Sequence, residues 1–301
     1  MRSNRMAVAA KSQSTTAHVA VVTVSYGSGR VLGDFLGSLG SALTGPLHIV
    51  VADNKVLEGD TTVSGLAHAA HAEYLPLADN LGYGHAINQA LKTLPAEIDW
   101  VVVSNPDIVA RAGAIDTLLK SVGDDAKIAA IGPGILTSAG EVYPSARVIP
   151  SLRTGIGHGL FALVWPNNPW SRSYRQQGAA SVSRRDAGWL SGAFLMVRRS
   201  VLDELGGFDE GYFMYFEDVD LGFRIGKLGL RNVYEPLATV VHSGAHSTQD
   251  DNARMIRAHH ASAERFLSKK YSGPLLLPVR LLLAAGLRLR AAVSERRHPT
   301  S

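Results

Sequence analysis

Two acidic stretches carry residue types that could do chemistry. In "WVVVSNPDI" (100–108) an apolar run gives way to serine, asparagine, proline and aspartate, so Asp107 falls just past the end of a buried strand. In "YFEDVDLGFR" (215–224) Glu217 and Asp218 stand at the start of a helical pattern, behind Tyr212, Phe213, Tyr215 and Phe216. Hard divalent cations that carry phosphates prefer oxygen ligands from one or two carboxylates. Asp107 suits that role, and Asn105 offers an amide oxygen two residues earlier. Asn, Pro and Asp are also turn formers, so "NPD" equally reads as a turn that caps the next helix. A carboxylate in a partly apolar cleft can act as a general base, and one in the first turn of a helix also complements the helix dipole. Asp220 has Arg224 four residues on as a partner across one helical turn. Asp218 has no such local partner.

The elements that must position these groups follow from periodicity. "HVAVVTVSY" (18–26), "LHIVVADN" (47–54), "AEYLPL" (72–77) and "DWVVVSN" (99–105) read as strands, and "GWLSGAFLMVRR" (188–199) and "RNVYEP" (231–236) as two more. Between the early strands, Val31, Leu32, Phe35, Leu36, Leu39 and Leu43 line one helical face, and Ala86, Ile87, Ala90, Leu91 and Leu94 another. Strands that are apolar runs, alternating with helices, predict an α/β fold whose mostly parallel sheet is covered on both faces. In such sheets ligands bind beyond the carboxyl ends of the strands. Tyr26, Asp53, Asn80 and Asp107 all fall at such ends.

The chain has 301 residues, 46% hydrophobic and 19% charged, enough apolar material for a sizeable core. It has no cysteine, which excludes disulfides and thiolate metal sites. Residues 1–17 read as a loose tail without the apolar core of a signal peptide, and no run is long and apolar enough to span a membrane. The net charge of +4 is unevenly spread: residues 145–200 hold eight Arg against Asp186 alone, 201–251 hold ten acids against three basic residues, and 252–301 hold ten Lys or Arg against two acids. Such segregation points to a surface that meets an anionic partner and a separate cluster of carboxylates, with ordinary solvated faces as the plainer reading. Residues 145–187 form a Gly/Pro/Arg stretch with Phe161, Trp165, Trp170 and Tyr174, of a length that is usually functional or mobile.

In order, "VVTVSY", "VVADN", "NLGYGHAINQAL", "VVVSNPDI", "GAFLMVRRSVLDELGGFDEGYFMYFEDVDLGFRIGKLG" and "VVHSGAHS" resemble inverting family 2 glycosyltransferases with the GT-A fold, over roughly residues 18–248. Within the family the resemblance is to bacterial rhamnosyltransferases of cell-wall linker (arabinogalactan) synthesis. It implies transfer of L-rhamnose from dTDP-rhamnose to a hydroxyl of N-acetylglucosaminyl-diphospho-polyprenol, with Mg2+ or Mn2+ as cofactor. It also implies roles for residues. Asp53, with Ser25 and Tyr26, would contact the donor nucleotide, and Asn80, Gly82 and Tyr83 of the "NLGY" turn would line the donor site. Asp107 would be the last aspartate of the family's DxD site and bind metal and diphosphate. Asn105 stands where the first aspartate would be, a departure that replaces a charged ligand with a neutral amide. Asp218, or Glu217 as second choice, would be the catalytic base. His242 would complete the metal shell, with His246 a weaker second, although a lone histidine is more often structural. Trp189 and Gly192 would wall the acceptor.

A lipid-linked acceptor also accounts for the basic segments. The Arg- and Trp-bearing insertion (145–187) and the C-terminal helical segment (251–301), with "PLLLPVRLLLAAGLRLR", are what a protein lying on an anionic membrane would use. The expected domains are thus the tail, a glycosyltransferase domain at 18–250 and this surface segment. The expected location is cytoplasmic, peripheral on the inner face of the plasma membrane. Packing of the C-terminal helix on the body, or on a second subunit in a homodimer, is the alternative. Three rival functions remain: a different nucleotide-sugar donor, a non-catalytic nucleotide-sugar or lipid binding module, and an NAD-dependent oxidoreductase. For the last, Gly27, Gly29 and Gly33 follow the first strand but miss the G-x-G-x-x-G spacing. No nucleic-acid reader is recognisable.

Overall fold

The computed structural model describes residues 17–151, 183–244, 252–273 and 276–278. The expected architecture is present. Strands β1 (Val19–Ser25), β2 (Leu47–Asp53), β3 (Glu73–Pro76) and β4 (Trp100–Ser104) pair in parallel in the order β3-β2-β1-β4. The sheet continues through β11 (Phe194–Arg198), β6 (Ile128–Thr137), β12 (Arg231–His242) and β5 (Ile108–Ala110). β11 runs antiparallel to both β4 and β6, while β12 is parallel to β6. Short strands β7 (Val142–Tyr143) and β9 (Arg185–Ala187) border β6 and β12, and β8 (Ala146–Arg147) pairs with β10 (Trp189–Leu190) as a separate ribbon.

The central strands β1 and β4 are buried throughout because both faces are covered. Val19 and Val21 pack in one cluster with Leu32, Phe35 and Leu39 of α1 (Gly29–Ala42), Ala67 of α2 (Thr62–Ala69) and Leu118 of α4 (Ala114–Val122). Ala20 and Val22 pack in another with Ile87 and Leu91 of α3 (Tyr83–Thr93), Leu202 of α5 (Arg199–Leu205) and Ile225 of α6 (Glu217–Lys227). Successive side chains point to opposite faces of a strand, so each must be apolar.

Three expectations need correction. "GWLSGAFLMVRR" is not one strand: at Ser191, whose N–H donates to the Ser145 carbonyl at 2.7 Å, the chain leaves the β8–β10 ribbon and enters the main sheet as β11. "NPD" does not cap a helix, because it turns into edge strand β5, which pairs with β12. The segregated charges meet one another in part. On α7 (Asn252–Lys270), Arg265 and Lys269 lie 2.7 and 2.9 Å from Asp209, and Lys269 lies 2.7 Å from Asp220. The described part of the C-terminal segment therefore packs on the body, with Phe266 fully buried beside Tyr212. Most of the insertion and of the leucine-rich C-terminal run lies outside the described residues, as do Phe161, Trp165, Trp170, Tyr174 and His246.

Candidate active site

The ends of β1 and β2 form one side of the rim, with Ser25 and Asp53 opposite each other in register. Asp53 is buried; its carboxylate accepts from the Tyr74 hydroxyl at 3.1 Å and from the Lys55 N–H at 3.2 Å. Burial, then the Asp53 charge, push the Tyr74 hydroxyl up to about 12, so it stays a donor to that carboxylate. Ser25 is fully buried, and Tyr26 is exposed with the Lys55 ammonium 5.2 Å from its ring centroid. A fixed carboxylate beside an accessible ring suits a flat polar heterocycle. Gly29 faces α2 instead, where an added Cβ would lie 2.7 Å from a Thr62 carbon, which gives it a packing role.

The "NLGY" turn is built against the aromatic loop that precedes α6. The Asn80 side-chain oxygen accepts from the Gly82 N–H at 3.2 Å, and Asn54 donates to the Gly82 carbonyl at 3.4 Å. Gly82 has φ +110°, and a Cβ there would overlap the Phe213 carbonyl oxygen, so only glycine fits. The next residue, Tyr83, donates its N–H to that same carbonyl at 3.0 Å and its hydroxyl to the Gly192 carbonyl at 3.0 Å. Burial raises the Tyr83 hydroxyl well above its ordinary value, and the charges of Glu217, Asp218 and Asp107 raise it further. The charges of three carboxylates therefore act on one phenol.

Glu217 and Asp218 open α6 directly after Tyr215 and Phe216, two non-glycine residues with φ of +68° and +67°. Such backbone costs about 1–3 kcal/mol per residue and persists only where surrounding packing enforces it. Asp218 accepts from the Gly192 N–H at 2.9 Å and from the Val219 N–H at 2.8 Å. Burial pushes its carboxyl above the usual range, against the pull of these N–H groups and of the Arg147 charge. Glu217 is more deeply buried, its Oε2 has no hydrogen-bond partner among the described residues, and burial together with Asp218 pushes it up to about 8. Of the two, Asp218 has the oriented oxygens that proton acceptance needs.

The segment that bears Asp107 meets the start of β11 through Asn105. The Asn105 N–H donates to the Ala193 carbonyl at 2.9 Å, next to the Gly192 that holds Asp218. The Asp107 carbonyl is fixed by the Ser243 N–H at 3.0 Å, and its carboxylate lies 3.0 Å from Nε2 of His242 at the end of β12. Two neighbouring ligands held about 2.1 Å from an octahedral cation lie about 3 Å apart, so this carboxylate–imidazole pair fits a divalent metal. Among the described residues no three His, Cys, Asp or Glu side chains assemble that could hold an ion.

Trp189 packs rather than hangs free: its indole N–H donates to the Val148 carbonyl at 3.1 Å, and its Cβ would lie 2.6 Å from a Cβ on Gly222 of α6. The Arg147 guanidinium lies 5.9 Å from its ring centroid. Tyr74, Lys55 and Arg147 were not picked out by spacing. Tyr74 alone left a signal, as a polar-tipped ring two residues from the end of a strand beside β2.

The chain matches the family described as "Glycosyltransferase like family 2" over residues 17–262. It is 43% identical over 285 residues to the N-acetylglucosaminyl-diphospho-decaprenol L-rhamnosyltransferase of Mycobacterium tuberculosis (strain ATCC 25618 / H37Rv), covering 92% of each chain. It is 28% identical to rhamnosyltransferase WbbL of Escherichia coli (strain K12), over 84% of this chain and 93% of that one. Among solved structures it resembles the Pyrobaculum calidifontis mannosyltransferase PcManGT in complex with GDP-Man and Mn2+, with TM-score 0.56, 14% identity, and 94% and 76% of the two chains covered. GalNAc-T7 with UDP, GalNAc and Mn2+ gives TM-score 0.56, 13% identity, and 93% and 55%. At such identities the structures speak to fold alone, and the fold is GT-A. Matched over most of its length, the chain belongs to glycosyltransferase family 2 and is a glycosyltransferase.

Proposed function

We propose that this glycosyltransferase moves L-rhamnose from dTDP-rhamnose to a hydroxyl of N-acetylglucosaminyl-diphospho-polyprenol, with inversion at the anomeric carbon. The observation that carries the choice of sugar and acceptor is the 43% identity, over 92% of both chains, to a relative named for that transfer. The single-displacement mechanism is supported by the Gly192–Ala193 step, which bonds Asp218 through one residue and Asn105, two positions before Asp107, through the next.

In this reading Asp53, held by Tyr74 and Lys55, binds the thymine ring, with Tyr26 beside it. Asp107 and His242 would hold Mg2+ or Mn2+, which would supply positive charge against the departing diphosphate. Asp218 accepts the proton of the acceptor hydroxyl as that oxygen bonds to the anomeric carbon. The bond from that carbon to the diphosphate oxygen breaks, and its electron pair leaves on dTDP. The N–H groups of Gly192 and Val219 keep both Asp218 oxygens oriented through the step. The raised Tyr83 hydroxyl remains protonated and braces the Gly192 carbonyl. No described helix is long and apolar enough to cross a membrane, and a lipid-linked acceptor is consistent with peripheral attachment at the inner face of the plasma membrane.

The test is a donor screen with a short-chain N-acetylglucosaminyl-diphospho-lipid. dTDP-rhamnose turns over and UDP- and GDP-sugars do not; turnover of a UDP- or GDP-sugar in its place refutes the donor assignment.

A further inference from the structure

One face of α7 is given over to the loop that delivers Glu217 and Asp218. Ser262, Arg265, Phe266 and Lys269 recur at helical spacing, so they share a stripe. The Ser262 hydroxyl donates to the Met214 carbonyl at 2.8 Å. The Phe266 ring is fully buried, with centroids 5.7 Å from those of Phe216 and Phe223. Arg265 pairs with Asp209 at 2.7 Å, and a Cβ on Gly211 would overlap its guanidinium, so the loop backbone is cut away to admit it. Lys269 spans the loop: its ammonium lies 2.9 Å from Asp209, before the aromatic residues, and 2.7 Å from Asp220, in the first turn of α6. Asp220 is fully buried, and Arg224 pairs with its other oxygen at 2.6 Å while donating to the Gly207 carbonyl at 2.9 Å. The two left-handed residues Tyr215 and Phe216 lie inside the span that Lys269 closes.

We propose that α7 is a latch on the base loop, and that Lys269 is a positioning residue for transfer, acting through Asp218 by tying Asp209 to Asp220. The inference rests on Asp218 being the base. Without the ammonium, Asp209 keeps Arg265 and Asp220 keeps Arg224, but neither arginine joins the two carboxylates, and the strained pair before Glu217 loses the tie across its ends. Asp218 then drifts from the Gly192 N–H, and displacement of a reacting group by about 1 Å costs on the order of a hundredfold in rate.

The experiment is a double-mutant cycle in the full chain, with Lys269→Met made in the native and the Asp218→Asn backgrounds. Transfer is measured with dTDP-rhamnose, dTDP affinity by calorimetry, and amide hydrogen exchange by mass spectrometry. In the native background Lys269→Met lowers kcat at least about tenfold, leaves dTDP affinity within about twofold, and speeds exchange at residues 212–219 and Gly192 but not in β1 or β2. In the Asp218→Asn background it leaves the residual rate unchanged, and Lys269→Arg restores most of the native kcat. Equal fold-losses in both backgrounds, or unaltered exchange in the base loop, overturn the proposal. Lys269→Gln, which keeps a polar side chain of similar reach but removes the charge that pairs with both carboxylates, carries the same cycle if Lys269→Met does not fold. Native transfer by Asp218→Asn refutes the base; native transfer by Lys269→Met beside an inactive Asp218→Asn refutes the latch alone.

Discussion

Replacing Asp218 by Asn keeps the shape of the side chain and removes its capacity to take a proton. Both oxygens of the carboxylate are in use, one on the Gly192 N–H at 2.9 Å and the other on the Val219 N–H at 2.8 Å. An amide matches one of these donors and turns its own NH2 toward the other. That mismatch costs about 1–3 kcal/mol, the usual penalty for one unsatisfied buried donor. Domain stabilities run to about 5–15 kcal/mol, so the variant folds. The chemical loss is larger: a positioned general base contributes roughly 10²–10⁴ in rate, equivalent to about 3–5 kcal/mol of barrier. Single-turnover transfer at saturating dTDP-rhamnose should therefore fall at least a hundredfold, while dTDP binding measured by calorimetry stays near native. Glu217→Gln under the same conditions keeps most of its activity. A variant lacking Asp218 that retains transfer within about tenfold of native refutes the reasoning, because an effect that small lies below the range of a general base. Inactivity of Glu217→Gln beside an active Asp218→Asn reverses the assignment of the two carboxylates.

Other outcomes follow from the same geometry. Burial and the neighbouring Asp218 push the Glu217 carboxyl up to about 8 in the fold against an ordinary 4.5, so the unfolded chain ionises first and stability falls as pH rises between those values. Urea unfolding from pH 5 to 8.5 should show this slope in the native chain and a shallower one in Glu217→Gln, where only the raised Asp218 carboxyl remains; parallel curves contradict it. Removal of Asp107 or His242, whose side chains lie 3.0 Å apart, should raise the Mn2+ concentration needed for half-maximal transfer by more than the roughly 10–100-fold that outer-shell changes produce, read from a metal titration. Gly82→Ala forces a Cβ into the Phe213 carbonyl at φ +110°, and thermal unfolding should report a loss of at least about 1–3 kcal/mol together with lost transfer. Phe266→Ala empties a fully buried site and should cost about 3–5 kcal/mol by denaturant titration.

The parallel half of the sheet was legible in the sequence, since β1 to β4 fall where the apolar runs fall, whereas β6, Ile128–Thr137, was not read as a strand, its apolar run being broken by Gly132, Pro133 and Gly134. The helix faces on α1 and α3 were legible for the same reason at a different period. The break at Ser191 and Gly192 was not. Its neighbours are apolar on both sides, and what ends the strand is the remote Ser145 carbonyl, while Asp218 gives the freed Gly192 N–H a partner. Asp220 with Arg224 could be read as a pair four residues apart, but its second partner, Lys269, comes from a distant helix. The charge segregation was visible and its meaning was not, since opposite charges far apart in the chain look the same whether they meet each other or a membrane.

Gly192 and Ala193 lie side by side, one giving its N–H to Asp218 and the other its carbonyl to the Asn105 N–H. A single dipeptide at the head of β11 thus gauges the gap between Asp218 and the segment that bears Asp107. That gap is inherited from strand spacing, which side-chain changes on the outer rim do not alter. Such a rim can diverge in the sugar or lipid it admits while the reach of the reaction stays constant.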